Sequence, residues 1–239
     1  NSNCIIFNGE IYNYLEIKKE LQKLGHKFKT KTDTEVLLAA YNQFGSRCVE
    51  LFEGMWAFAI FDSKKNIVFI SRDRFGEKPL YFYKDQNKFI FSSDTKAIEI
   101  MLGKKLNINE LYIKNFLSNG FRCLYKNNHT QFADIRRAEP AENITVNTSM
   151  TIKKKIYWKP NIYNSRITLK ESIDESLRLL KHSVKIRLRA DVPLSFCLSG
   201  GMDSSSLVGL ADALDLKKIN TYSVIDQDSR YNEEKEINF

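Results

Sequence analysis

The sequence predicts an α+β unit built on antiparallel strands, followed by the start of an α/β unit with a parallel sheet, divided as residues 1–160 and 161–239. Three observations carry this reading. Between residues 55 and 91 apolar runs alternate with polar turns at 62–66 and 85–87, the pattern of hairpins in series. Near residue 170 the chain changes character: Ile173, Leu177, Leu180, Val184 and Leu188 recur at helical spacing, which predicts a long amphipathic helix over 171–188. An apolar strand at 194–198, a Ser/Gly turn, a helix running to about 214 and a strand at 219–224 then spell a βαβ unit, which requires parallel strands.

The elements follow in order. Cys4–Phe7 reads as a buried strand, and Asn8-Gly9-Glu10 is expected to break it, because Asn-Gly is a turn signal. A helix capped by Asn13 puts Tyr14, Ile17, Leu21 and Leu24 on one face and stops at Gly25. A second starts at Thr32, with Glu35 at capping-box spacing; its apolar face is Val36, Leu37, Ala40, Tyr41 and Phe44, and Gly45 ends it. Strands are predicted at 55–61, 67–71, 80–83 and 89–91, and helices at 95–102 and 109–119. Residues 120–165 are polar and weakly periodic and read as a connecting region. There is no internal repeat.

With 43% hydrophobic and 28% charged residues the chain has enough apolar mass for a core, which excludes a disordered protein. No apolar run reaches the roughly 18 residues that cross a bilayer, so no membrane partner is expected. The net charge of +8 raises nucleic-acid binding as a class. Lys and Arg are spread along the chain, clustered only at 153–155 and 178–189, without the interleaved aromatics of a stacking platform. A solvated basic surface and no nucleic-acid partner are the expectation. Cys4, Cys48, Cys123 and Cys197 form no CxxC pair and read as small buried hydrophobes in a reducing, cytoplasmic compartment.

The segment Leu198-Ser199-Gly200-Gly201-Met202-Asp203-Ser204-Ser205 opens a helix after a strand. Its glycines allow close backbone approach, and the N–H groups of a helix start favour an anion, typically phosphate. It is neither a Walker A loop nor a GxGxxG dinucleotide turn. It resembles the Ser-Gly-Gly-x-Asp-Ser pyrophosphate loop of N-type ATP pyrophosphatases. Upstream, Asn8-Gly9-Glu10-Ile11-Tyr12-Asn13, the run from Arg72 to Tyr81, and Phe91-Ser92-Ser93-Asp94-Thr95-Lys96-Ala97 (Asp94 standing where Glu is usual) resemble the class II glutamine amidotransferase domain of the asparagine synthetase B family, as does Tyr157-Trp158. The resemblance covers nearly the whole chain, with its motifs in the family's order.

The resemblance implies an antiparallel sandwich of the Ntn-hydrolase type, incomplete here, followed by an incomplete ATP pyrophosphatase domain. It implies ATP-dependent amidation of aspartate to asparagine through β-aspartyl-AMP, with ammonia from glutamine hydrolysis. Asn8 and Gly9 would form the oxyanion hole that a thiol-attacked amide needs. Glu10 and Asp33 would bind the glutamine α-ammonium. Leu198 would contact the adenosine through its backbone, and Ser199, Gly200, Gly201, Asp203 and Ser204 would hold the pyrophosphate of ATP, with Mg2+ reaching Asp203. The partners implied are glutamine, aspartate and ATP, and a homodimer is left open. The family nucleophile is an N-terminal Cys; residue 1 here is Asn, and Cys4, four residues before Asn8 in a strand, is expected to be core. An inactive fragment lacking both ends is therefore expected. Arg72–Lys78, with five charges in seven residues, is read as structural, a set of exposed pairs worth about 0–1 kcal/mol each. Ser223-Val224-Ile225-Asp226-Gln227 departs from the family's pattern. The alternative reading is a related amidotransferase or cyclising ligase acting on a different carboxylate.

Overall fold

The computed structural model describes residues 3–120, 127–162, 166–214, 219–228, 230 and 232–237. They form two compact units, Asn1–Asn161 and Ile162–Phe239.

In the first unit β1 (Cys4–Ile11) is followed by α1 (Tyr14–Lys23) and α2 (Asp33–Phe44). Then come β2 (Gly54–Asp62), β3 (Ile67–Arg72), β4 (Tyr81–Lys84), β5 (Phe89–Ser92), α3 (Thr95–Leu102) and α4 (Glu110–Asn119). β6 (Ile135–Arg137), β7 (Glu142–Asn147) and β8 (Ile152–Ile156) complete it. One antiparallel sheet has the order β1-β2-β3-β7-β8 and a second the order β5-β4-β6. Side chains alternate across β2. Trp56, Phe58 and Ile60 pack with Ile17 and Leu21 of α1 and Val36, Leu37 and Tyr41 of α2, whereas Ala57 and Ala59 face Leu80, Phe82 and Phe91. The large residues fill the gap under the helices, and the alanines let the second sheet come close. Beyond that sheet, Tyr83, Ile90 and Ile135 pack on Ile98 of α3. The unit is thus a helix–sheet–sheet–helix sandwich, the α+β class that the hairpin pattern predicts.

Several local expectations need correction. β1 does not break at Asn8-Gly9; it runs on to Ile11, in register with β2 over all eight residues. Tertiary pairing overrides the turn propensity here, and Gly9 serves the pairing itself. Its φ is +154°, and a Cβ there would lie 2.1 Å from the Met55 carbonyl oxygen. Asn13 is the N-cap residue of α1, but its side chain makes no capping bond. Its side chain bridges the Leu51 carbonyl and the Glu53 N–H (2.9 Å each), and Leu24 is more than half exposed. Thr32 does cap α2, but the Glu35 carboxylate turns to the N–H groups of Lys29 and Thr30 and the Thr30 hydroxyl. Those bonds hold it below the usual carboxylate range. Residues 120–165 are not merely a connection: β7 and β8 extend the main sheet and β6 the second. Their signal is weak because β6 has three residues, β7 only two large apolar ones, and β8 reads Ile-Lys-Lys-Lys-Ile. It is an edge strand whose lysines guard it against further pairing. Lys154 turns back to Glu142, at 3.2 Å, and over the Phe82 ring.

Among the described cysteines Cys48 is buried and Cys4 and Cys197 are exposed; Cys123 lies outside the described residues. Cys4 sits on the same β1 face as Ile6 and Asn8, which the second sheet leaves largely uncovered. No helix among the described residues is long and apolar enough to cross a membrane.

In the second unit α5 (Leu169–Arg187) starts with a complete Thr168/Glu171 capping box. β9 (Ser195–Cys197), α6 (Met202–Asp212) and β10 (Asn220–Tyr222) form the predicted βαβ unit with parallel strands, and α7 (Glu234–Ile237) follows. On α5, Val184 and Ile186 are buried, but Ile173, Leu177 and Leu180 of the predicted apolar face are exposed.

Candidate active sites

Among the described residues β1 is an edge strand, and its parity decides what that edge offers. Trp56, opposite Gly9, commits both main-chain groups to the β3 side: its carbonyl accepts from the Asp73 N–H at 2.9 Å, and its N–H donates to Asp73 Oδ2 at 3.2 Å. Gly9 and Trp56 are therefore a non-hydrogen-bonded pair, so the N–H and C=O of Gly9 face the open edge. At the Gly9 φ of +154° a Cβ would be aimed at the Met55 carbonyl oxygen, which is why none fits there. Two residues along the same edge, the Ile11 N–H donates to Asp33 Oδ2 at 2.9 Å. The half-buried first residue of α2 thereby reaches the edge at Ile11, one two-residue step of a strand, about 7 Å, along from Gly9. A main-chain donor and a carboxylate thus share one edge, an arrangement suited to a ligand with an oxyanion at one end and an ammonium at the other.

Asn8 projects onto the opposite face from Phe7 and Ile11, beside a cleft of about 330 Å³ between the two sheets lined by Ile6, Ala57, Ala59, Leu80 and Phe91. Its Nδ2 donates to Ser93 Oγ at 3.0 Å. Glu10 shares that face and is exposed. The edge therefore gathers Asn8, Gly9 and Asp33. Ser93 joins them from a position 85 residues away, and no local pattern relates the two.

The Arg72–Lys78 run is structural, as read, but its physics differs from a set of exposed pairs. Arg72 and Asp73 are buried. The Arg72 guanidinium donates to the carbonyls of Gly76, Lys78 and Ala138. Burial, with Arg137 nearby, lowers its pKa from the ordinary arginine value. The Asp73 carboxylate accepts four backbone N–H bonds, from Phe75 (3.1 Å) and Glu77 (2.9 Å) on Oδ1 and from Trp56 (3.2 Å) and Lys78 (2.9 Å) on Oδ2. The charges cage the backbone of the turn, and through Trp56 the cage fixes which way the Gly9 pair faces.

In the second unit Gly200 takes φ +80°, and Gly201 is the N-cap of α6 with no side-chain cap. The loop hydroxyls bond to one another and to its backbone: Ser199 Oγ and Ser204 Oγ lie 3.1 Å apart, the Ser204 hydroxyl donates to the Gly201 carbonyl, and the Ser199 N–H donates to Ser204 Oγ. Asp203 lies in the first turn of α6. Leu198 is tied on both sides, its N–H to the Tyr222 carbonyl and its own carbonyl to the Ser223 hydroxyl. The N–H groups of the first turn of α6, at a helix start, are donors of the kind that favour an anion.

The family described as the glutamine amidotransferase domain matches residues 1–158, and the asparagine synthase family matches residues 175–238. A Methanocaldococcus jannaschii chain named for glutamine-hydrolysing asparagine synthetase 2 is 43% identical over 92% of this chain and 42% of its own length. The glutamine-hydrolysing asparagine synthetase 1 of Bacillus subtilis is 33% identical over 92% of this chain and 34% of its own. Amidase chry2 of Gibberella zeae is 28% identical over 87% and 31%. Among solved structures, the glutamine phosphoribosylpyrophosphate amidotransferase of B. subtilis aligns over 94% of this chain and 46% of that one, at 18% identity and a TM-score of 0.48. The chain thus spans less than half the length of these relatives. From Asn1 to Trp158, two thirds of its length, it belongs to the glutamine amidotransferase family, and it continues into an asparagine-synthase-type segment.

Proposed function

We propose that the full-length protein is an asparagine synthetase that takes its nitrogen from glutamine, and that the open edge of β1 is its glutamine site. The observation that carries this reading is the pairing of an outward Gly9 N–H with the Asp33 carboxylate on one strand edge, in a chain matched by both family halves in order. In this reading the glutamine amide lies against Asn8 and Gly9, whose N–H groups donate to the oxyanion as a thiolate adds to the amide carbon. The C–N bond then breaks, ammonia leaves, and water hydrolyses the thioester to glutamate. Asp33 and Glu10 hold the α-ammonium of the substrate. Cys4 is not the attacking thiol: it begins β1, about 14 Å from Asn8 along an extended strand.

In the second unit Ser199, Gly200, Gly201, Asp203 and Ser204 hold the pyrophosphate of ATP, and Leu198 borders the adenosine through its backbone. Aspartate attacks the α-phosphate, pyrophosphate leaves, and ammonia then displaces AMP from the acyl group. Among the described residues no three His, Cys, Asp or Glu side chains converge to hold a metal ion by themselves. Asp203, a lone carboxylate at a phosphate cradle, fits Mg2+ shared with the nucleotide, since that ion is usually held by one or two carboxylates plus phosphates. It would neutralise phosphate charge there. The free thiols Cys4, Cys48 and Cys197 support a reducing, cytoplasmic setting.

A second reading, amidation of a carboxylate other than aspartate, is favoured by the similarity to Amidase chry2. One assay separates the two. Full-length protein is given ATP and glutamine with aspartate or with other acids, and products are counted. Asparagine, glutamate, AMP and pyrophosphate in equal amounts support the first reading. An amide formed only from another acid supports the second, and no AMP with any acid refutes both.

A further inference from the structure

We propose that Ser93 is a positioning residue for glutamine hydrolysis, holding the Asn8 carboxamide with its N–H groups toward the reacting amide. The proposal rests on the glutaminase reading above.

A primary amide has a donor end and an acceptor end of nearly equal shape, and its terminal torsion is broad. Asn8 is exposed, on the face of β1 that borders the cleft between the sheets, so close packing does not fix its orientation. Turned one way, Nδ2 stabilises a developing oxyanion beside the Gly9 N–H. Turned the other way, Oδ1 repels it. The structure holds the first arrangement: Ser93 Oγ accepts one Nδ2 hydrogen at 3.0 Å and leaves the second for the substrate.

Ser93 is well placed to do this because it belongs to a stiff corner. It lies between the last residue of β5 and the N-cap of α3, where the Ser92 hydroxyl accepts the Asp94 N–H and the Asp94 carboxylate accepts the Lys96 N–H. The corner sits on the second sheet, across the cleft from β1, so the Asn8–Ser93 bond also spans the two sheets at the candidate site. This gives a purpose to the Ser-Asp-x-Lys-Ala stretch that its N-cap role alone does not require, since Asp94 supplies the cap.

The test uses the full-length protein with Ser93→Ala and Ser93→Thr, read as glutamine hydrolysis and, separately, as asparagine synthesis from added ammonia. Removal of one oxyanion donor costs about 10²–10³ in kcat, which bounds the effect of merely misorienting it. Ser93→Ala is expected to lower kcat for glutamine about 10-fold with KM within twofold, Ser93→Thr to recover most of it, and ammonia-dependent synthesis to stay at the wild-type rate. In an Asn8→Ala background the Ser93→Ala loss is expected to vanish, because the two act as one unit. An unchanged kcat, an equal fall in the ammonia reaction, or an undiminished Ser93 effect in the Asn8→Ala background overturns the proposal. Wild-type protein that makes asparagine from ammonia but hydrolyses no glutamine overturns the glutaminase reading instead, and the role of Ser93 with it.

Discussion

Replacing Asp73 by Asn changes one oxygen for an amide nitrogen inside a fully buried cage. Asp73 is fully buried, and its two oxygens receive two backbone N–H groups each. Whichever way the amide settles, its NH2 end meets two donors. Two charge-assisted bonds are lost, worth roughly 1.5–3 kcal/mol apiece, and two N–H groups are left unpaired in the interior. The expected loss is about 3–6 kcal/mol, a large part of the 5–15 kcal/mol typical of a whole domain. For a unit of this size that is a drop in melting temperature of roughly 6–24 °C. The assay is denaturant unfolding followed by tryptophan fluorescence, since Trp56 lies against Asp73, with the midpoint compared at constant slope. A loss below about 1 kcal/mol, the amount an exposed ion pair supports, would refute the cage.

Three further outcomes follow. Burial raises the Cys48 thiol from 9.0 to about 12. A raised folded pKa means stability that is intact below pH 9 and falls as pH rises toward 12, at about 1.4 kcal/mol per unit; Cys48→Ala should flatten the fall in unfolding midpoint between pH 9 and 10, and an unchanged slope contradicts this. Gly9→Ala places a Cβ 2.1 Å from the Met55 carbonyl oxygen and 2.8 Å from the Trp56 Cα, in a backbone conformation suited to glycine. It should abolish glutamine hydrolysis while synthesis from ammonia persists, and normal hydrolysis would show that β1 absorbs the methyl. Ser204→Ala removes a hydroxyl from the α6 cradle. It should lower ATP–pyrophosphate exchange at least 10-fold, the worth of one charge-assisted bond, and leave glutamine hydrolysis alone.

What the sequence conveys about this fold is mostly local. α3 occupies the predicted 95–102, between its Asp94 cap and the left-handed Gly103, and the strand–loop–helix at 195–212 is contained within one short stretch. What it conceals depends on distant neighbours. Asn8-Gly9 has the composition of a turn, yet eight paired residues of β2 make it a strand. Asp73 looks like a surface charge because the N–H groups that surround it, from Trp56 and residues 75–78, belong to the backbone and leave no trace in side-chain pattern. β6 is three residues and β8 is mostly lysine, so neither shows an apolar alternation, and β7 offers only Ile144 and Val146; the sheets they complete define them. At the candidate site, the Asp33 bond to β1 spans 22 residues and the Ser93 bond to Asn8 spans 85; spacing alone predicts neither.

The account stands most directly on Asp33 at the edge of β1. Full-length Asp33→Asn protein should be assayed for glutamine hydrolysis over a range of glutamine concentrations, beside asparagine synthesis from ammonia. Losing a charge-assisted contact to the substrate ammonium, worth about 1.5–3 kcal/mol, predicts a rise of roughly 10–150-fold in KM for glutamine, with the ammonia reaction unaltered. An unchanged KM for glutamine, or an equal loss of both reactions, would contradict the assignment of this edge as the glutamine site.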